Sequence, residues 1–213
     1  MLQFGYMLRQ ARATITSVSH APTALERQLA APPPSALEAF REARRRFLAG
    51  ERIDMGSLAA GLGVNRVTLY RWVGNRERLL VEVMWSLARP TLDRARAEAD
   101  GSGAERIVGV SLAFMRAVLG HPRFAAFVHA EPELALRILT RGDTGLQGRL
   151  IGYYETMLRE EVDAGRVSTS LPVHELAYMI VRTMESYVYT DLITGEEPNP
   201  EKGAMVLRVL LRP

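Results

Sequence analysis

The 213-residue chain contains no cysteine. That excludes disulfides, thiolate metal sites and cysteine nucleophiles. Lysine is almost missing too: of 27 basic residues, 26 are arginine and the other is Lys202. No stretch of 18 apolar residues occurs, so no membrane span is expected. HExxH, a phosphate-cradling Walker loop, a GxSxG elbow and GxGxxG are all absent, so no catalytic constellation supports an enzyme. His121 and His129 stand eight apart with Pro122 between them. That spacing offers no metal-ligand pattern, and neither a metal nor a cofactor is expected. Strand-like alternation does not rise above noise, and the one low-complexity feature is Pro32-Pro33-Pro34.

What is present is ordinary globular material, 47% hydrophobic and 24% charged, enough for one or two domains with a sizeable core. The charge is unevenly spread. Residues 1–99 carry fifteen arginines against nine acids, a surplus of six. Residues 100–213 carry twelve basic and fifteen acidic side chains, a deficit of three. A basic first half beside an acidic second half fits a nucleic-acid reader joined to a part that avoids phosphate.

Helical periodicity dominates after residue 34, and the expected class is all-α. Residues 1–34, with Arg9 and Arg12, read as a loosely ordered N-terminal extension ended by the proline triplet. Ser35 is a good N-cap, and Leu37, Phe40, Ala43 or Arg44, and Phe47 fall at spacings of three to four, with Phe40 and Phe47 on one face, to give a first helix ending near Gly50. Short helices follow over 55–61 and 66–72, then a long one from Arg76 to about Asp100, with Pro90 a candidate bend. Further helices are expected over 104–119, 122–129, 132–140, 145–165, 173–194 and 200–212, punctuated by glycine and proline. The domains predicted are 35–82, a three-helix DNA-binding unit, and 83–213, an effector-binding and dimerisation unit.

The stretch Asp54 to Trp72 carries the chemistry. Leu58, Ala59 and Leu62 give its first helix an inward face. Gly63 sits where the turn needs a positive φ. Val64 plugs the angle between the helices, Asn65 caps the second, and Leu69 points back to the core. Arg66, Val67, Thr68, Tyr70, Arg71 and Trp72 are left outward. This is the pattern of a helix-turn-helix, whose second helix lays its N-terminal residues along base edges in the major groove. Arginine pairs bidentately with guanine, and threonine or valine meets the thymine methyl. Tyr70, Trp72 and Arg76 fall toward the flanks, where phosphate contacts fix register. The candidate DNA-binding set is therefore Asn65, Arg66, Val67, Thr68, Tyr70, Arg71, Trp72 and Arg76, and the partner a double-stranded operator.

Residues 37–80 resemble the DNA-binding domain of the TetR family of bacterial regulators. The resemblance rests on Leu58-Ala59, Gly63-Val64, Thr68-Leu69-Tyr70, Asn75-Arg76-Glu77 and Leu79-Leu80. Asp54, Asn65 and Trp72-Val73 depart from the residues the family usually carries there. The blocks Gly50–Met55, Val64–Gly74, Glu131–Arg137 and Asp191–Gly195 are similar to the QsdR subgroup, regulators of the degradation of quorum-sensing lactones. The resemblance implies a repressor released by a small, lactone-like effector, with the pocket and dimer interface in the helices after residue 100.

The second half agrees in kind. Phe114, Phe127, Tyr153, Met157, Tyr178 and Arg182 are the candidate effector-binding residues, from an aromatic and methionine-rich set spread over several helices. Glu131, Arg137, Arg182 and Glu185 are charges inside apolar helices, and a solvated face or a pocket-facing pair are both open. The last two helices are the expected homodimer interface. One stripe holds Leu176, Ile180, Met184, Tyr187 and Val188, and the other Met205, Val206, Val209 and Leu210. Such a protein would be cytoplasmic. The competing readings are a helix-turn-helix protein without effector control and an all-helical enzyme.

Overall fold

The computed structural model describes residues 21–23, 34–142 and 145–212, and the expected extension over 1–34 lies almost wholly outside them. Helix α1 (Ala36–Ala49) starts in a reciprocal cap. Ser35 Oγ accepts the Glu38 N–H at 3.3 Å, and the Glu38 carboxylate accepts the Ser35 N–H at 3.0 Å. Its buried seam is Ala39, Ala43 and Phe47, while Leu37 is 53% exposed and Phe40 half-buried. Of the anticipated stripe, Ala43 and Phe47 are buried, Phe40 is half-buried and Leu37 is turned outward. Two alanines sit inward because α1 packs against four neighbouring helices, and their small side chains admit close approach.

Helices α2 (Met55–Gly61), α3 (Arg66–Val73) and α4 (Arg76–Glu98) follow. Each begins at an acidic or amide cap that accepts an N–H three residues on: Asp54 from Ser57 at 2.8 Å, Asn65 from Thr68 at 2.7 Å, and Asn75 from Arg78 at 2.8 Å. Gly63 adopts φ +66°, the left-handed turn between α2 and α3. Ile53, Leu58, Leu69, Leu79 and Leu80 close the small core over these turns. Helix α4 runs unbroken through Pro90.

The second half comprises α5 (Gly103–Leu119), α6 (Pro122–Ala130), α7 (Pro132–Thr140), α8 (Leu146–Asp163), α9 (Val173–Val188), the short α10 (Thr190–Ile193) and α11 (Pro200–Leu210). Helix α9 packs on α8 and α11, α11 on α5, and α4 on α5. The single helix expected over 173–194 is interrupted at Tyr189, which leaves helical geometry at φ −108° and ψ 21°. A buried carboxylate pins the start of α5 to the end of α8. Glu161 accepts the Gly103 N–H at 2.8 Å, Arg166 Nε at 2.6 Å and Arg106 Nη1 at 3.3 Å. Those donors, Arg166 first, hold its carboxyl below the usual range despite its burial.

Among the described residues all regular structure is helical, and no helix is long and apolar enough to cross a membrane.

Candidate nucleic-acid interface and ligand pocket

Helix α3 turns one face fully inward at Leu69 and presents the other to solvent. Val67 is 77% and Tyr70 47% exposed, and Arg66 and Arg71 are exposed beside them. An apolar side chain that open, flanked by two guanidinium groups, is left uncovered by the described residues. Thr68 and Trp72 are half-buried, and Trp72 packs on the core. Asn65 lies at the exposed start of the helix, with Oδ1 committed to its cap. The Arg66 guanidinium lies over Gly56, where a side chain would collide with it. It also adds to the influences, led by the Ser57 N–H, that keep the Asp54 carboxyl below its ordinary range.

Arg76 is placed differently from the other arginines of the reading region. Its Nε donates to the Ile53 carbonyl, and its two terminal nitrogens donate to the Glu131 carboxylate at 2.7 and 2.6 Å. Both side chains are about four-fifths buried, and Arg52 approaches the same carboxylate at 3.7 Å. Arg76 hydrogen bonds hold the Glu131 carboxyl below its ordinary range. The guanidinium assigned from sequence to a phosphate flank is therefore occupied by a bidentate clamp. The clamp joins the base of α4 to the α6–α7 corner, where Glu131 stands. Beside it, Arg137 pairs with Glu77 at 2.8 Å and Arg149 with Glu82 at 2.9 Å. The charged residues Glu131 and Arg137, ambiguous in sequence, are struts between the two halves.

Helices of both halves enclose a cavity of about 100 Å³. Its walls are mainly apolar: Phe47 from α1, Met84 and Leu87 from α4, Phe114 from α5, Leu150 from α8 and Val181 from α9. Phe47 belongs to the core seam of α1, so one wall of the cavity is a core residue of the helix-turn-helix half. The ring of Phe127 stands 5.8 Å from that of Phe47, at a tilt of 57°. Of the six residues named from sequence for a ligand site, Phe114 lines the cavity and Phe127 backs its Phe47 wall. Met157 is fully buried away from it. Tyr153 is buried where α8 meets α4, under the Arg89 guanidinium at 5.6 Å. Tyr178 is 41% exposed, with the Arg182 guanidinium 6.0 Å from its ring centre.

The polar wall residues are Thr91, His121, Glu185 and Tyr189. Thr91 Oγ1 donates to the Leu87 carbonyl, and His121 Nδ1 accepts the Phe124 N–H at 3.3 Å. Glu185 is the buried acid, 7% exposed. Gln147 donates to its Oε1, and Arg182 lies within ion-pair reach of its Oε2. Burial pushes its carboxyl up to about 7, against the opposing pull of Arg182 and Gln147. Glu185 had one sequence signal, an acid one helical turn after Arg182. Phe47 had none, because no local pattern places a residue of the first helix in the wall of a cavity built by later ones.

The α9 stripe read from sequence as an interface is core: Leu176, Ile180, Met184 and Val188 are all buried within the chain, since α9 rests on α8 and α11. The outward apolar residues of α9 are Tyr178 and Met179, and those of α11 are Met205, Val206 and Val209.

The family described as "Tetracyclin repressor-like, C-terminal domain" matches residues 102–212. Among solved structures, the transcriptional repressor QsdR from R. erythropolis, a TetR-family protein, is 31% identical. The match has a TM-score of 0.77 and covers 83% of this chain and 93% of that one. FadR from Bacillus subtilis, solved with stearoyl-CoA, matches at 16% identity and TM-score 0.50, over 82% of this chain and 97% of its own. FadR from Bacillus halodurans matches at 17% and 0.52, over 85% and 96%. These two share the fold. A search of curated proteins returns no match. With an exposed recognition helix in the first half and the family's C-terminal domain in the second, the chain belongs to the TetR family of DNA-binding, non-enzymatic transcriptional regulators.

Proposed function

We propose that the protein is a homodimeric repressor whose grip on a near-palindromic operator is released by a small apolar effector. Residues 35–82 act as the DNA-binding domain, 83–213 as the effector-binding and dimerisation domain, and the site of action is the cytoplasm. Arg66, Val67, Tyr70 and Arg71 read bases or their flanks, with Asn65, Thr68 and Trp72 fixing how the helix sits on the backbone. Two copies paired through the outward residues of α9 and α11 would set their readers roughly 34 Å apart, one turn of DNA. The observation that carries the reading is the Phe47 wall: a molecule entering the cavity pushes directly on a core residue of the DNA-binding half.

Met84, Leu87 and Thr91 extend the same wall along α4, whose N-terminal end is clamped through Arg76 to Glu131. An effector that fits better when α4 tilts shifts the population toward the released form by its difference in affinity for the two forms. The cavity is small beside the 300–1,000 Å³ usual for ligand sites, so binding requires it to widen. That gives the effector work to do on the walls. A lactone is the effector class that the sequence resemblance implies, and its compact ring and apolar tail suit such walls.

The test is binding of the full chain to its own upstream DNA, at stated salt, with and without lactones of graded chain length. Saturable binding weakened by a lactone supports the whole reading. Specific binding that no lactone touches keeps the regulator and removes that effector class. Binding by a species of monomer mass in sedimentation removes the dimer.

A further inference from the structure

The cavity is apolar apart from four side chains, Thr91, His121, Glu185 and Tyr189, and the first two have a hydrogen-bonding atom engaged within the chain. Thr91 spends its hydroxyl proton on the Leu87 carbonyl, and His121 Nδ1 receives the Phe124 N–H. Glu185 is different. Its Oε1 receives the Gln147 side-chain N–H, but its Oε2, fully buried, receives no aligned hydrogen bond. Arg182 stands close enough to Oε2 to pair its charge, yet off the direction a hydrogen bond needs. Arg182 takes up one side of Oε2 through their ion pair, and a carboxylate oxygen has two lone pairs, so Glu185, a residue of the cavity wall, keeps acceptor capacity for a donor.

We propose that the ligand of this cavity is a neutral, apolar molecule carrying one N–H or O–H group, and that Glu185 Oε2 accepts that proton donor. The proposal rests on the reading of the cavity as the effector site. Neutrality follows from Arg182, which already supplies the positive charge, so a cationic ligand would bring an unmatched second charge out of water. A ligand with a carboxylate head is excluded at this end, because it would set a second negative charge beside Glu185. The apolar body lies against the Phe47, Leu87 and Phe114 walls. A secondary amide satisfies these demands where the ester of the same shape does not, because the ester has lost the donor.

The groups facing Glu185 are few. Arg182 and Tyr189 come from its own helix and that helix's end, Gln147 from α8, and Tyr189 and His121 are the other titratable residues of the wall. A donating ligand binds the ionised carboxylate, so its affinity rises with pH through the titration of Glu185, which lies near 7. A ligand that only accepts gains nothing from ionisation.

The experiment is calorimetric titration of the full-length protein with N-hexylacetamide and with hexyl acetate, its ester counterpart, at pH 6 and pH 8. The amide is expected to bind about tenfold more tightly than the ester at pH 8, the worth of one hydrogen bond to a charged acceptor. Its affinity is expected to fall several-fold at pH 6. Glu185→Gln keeps an acceptor oxygen and does not titrate. It retains the amide preference and loses the pH dependence, whereas a dependence caused by His121 would survive it. Glu185→Met removes the acceptor and abolishes the preference, with circular dichroism checking its fold. Equal binding of amide and ester to the unmodified protein overturns the proposal and leaves the effector cavity standing. Binding of neither probe overturns the cavity reading and the proposal with it.

Discussion

The two halves of the molecule secure their polar groups over different distances. In the helix-turn-helix half the decisive bonds span three residues: Ser35 with Glu38, Asp54 with Ser57, Asn65 with Thr68 and Asn75 with Arg78. In the second half, and where it is tied to the first, they span 55 to 103 residues. Arg76 reaches Glu131, Gly103 reaches Glu161, Arg116 reaches Glu201 and Arg208 reaches Glu105. Short-range bonds fix the shape of each small helix independently of its surroundings, which suits a reader that must keep one geometry on DNA. Long-range bonds exist only while separate helices hold their mutual positions, which suits a part that rearranges around a ligand.

The sharpest way to break this contrast is to cut one bond of each kind. Glu161→Ala leaves two arginines and the Gly103 N–H facing an empty site. It should cost about 3 kcal/mol or more, read as a fall in the denaturant midpoint. Glu131→Gln strips the charge partner from Arg76. It should cost about 2 kcal/mol, while far-ultraviolet circular dichroism keeps its helical shape. Because the Glu131 carboxyl is held below its ordinary value, its contribution is present above that value and lost as the pH falls. The stability gap between the unmodified protein and Glu131→Gln should therefore narrow on acidification, and a constant gap would contradict the clamp.

Glu185→Gln should act in the opposite sense. The folded state raises this carboxyl from 4.5 to about 7, so the folded protein loses stability as pH rises between those values. The variant should be more stable than the unmodified protein at pH 8, by on the order of 2 kcal/mol, with the advantage vanishing near pH 4. Thermal melts at the two pH values measure it. Among the local bonds, Asn65→Ala should cost about 1 kcal/mol and nothing beyond the helix it caps. Leu37→Ala, at an exposed position of α1, should change stability by less than about 0.5 kcal/mol.

The same difference in range decides what could be read from sequence. The caps, the Gly63 turn and the inward Leu58 and Leu69 were legible because each depends on neighbours three or four residues away. The outward face of α3 followed from the inward one at Arg66, Val67, Tyr70 and Arg71, whereas Thr68 and Trp72, also assigned outward, are half-buried and Trp72 packs on the core. Leu37 was assigned to the wrong side because periodicity alone does not say which of two adjacent stripes meets a partner. Ala39 turns inward beside Ala43 because small side chains let α1 approach four other helices. The α9 interface stripe failed for a related reason: an amphipathic helix has one apolar face, and its own chain claimed it before a second copy could. Arg76 shared its flank with residues suited to phosphate, and nothing within 50 positions revealed Glu131 as its partner.

The central claim is that the exposed face of α3 reads DNA. It is tested most directly by titrating the protein's own upstream DNA, at fixed salt, with the unmodified chain, Arg66→Ala and Arg71→Ala. The account predicts saturable, sequence-selective binding by the unmodified chain. Each substitution should weaken it by roughly 1–3 kcal/mol and erode the preference for that DNA over an unrelated duplex. Unchanged affinity and selectivity in both variants would contradict it.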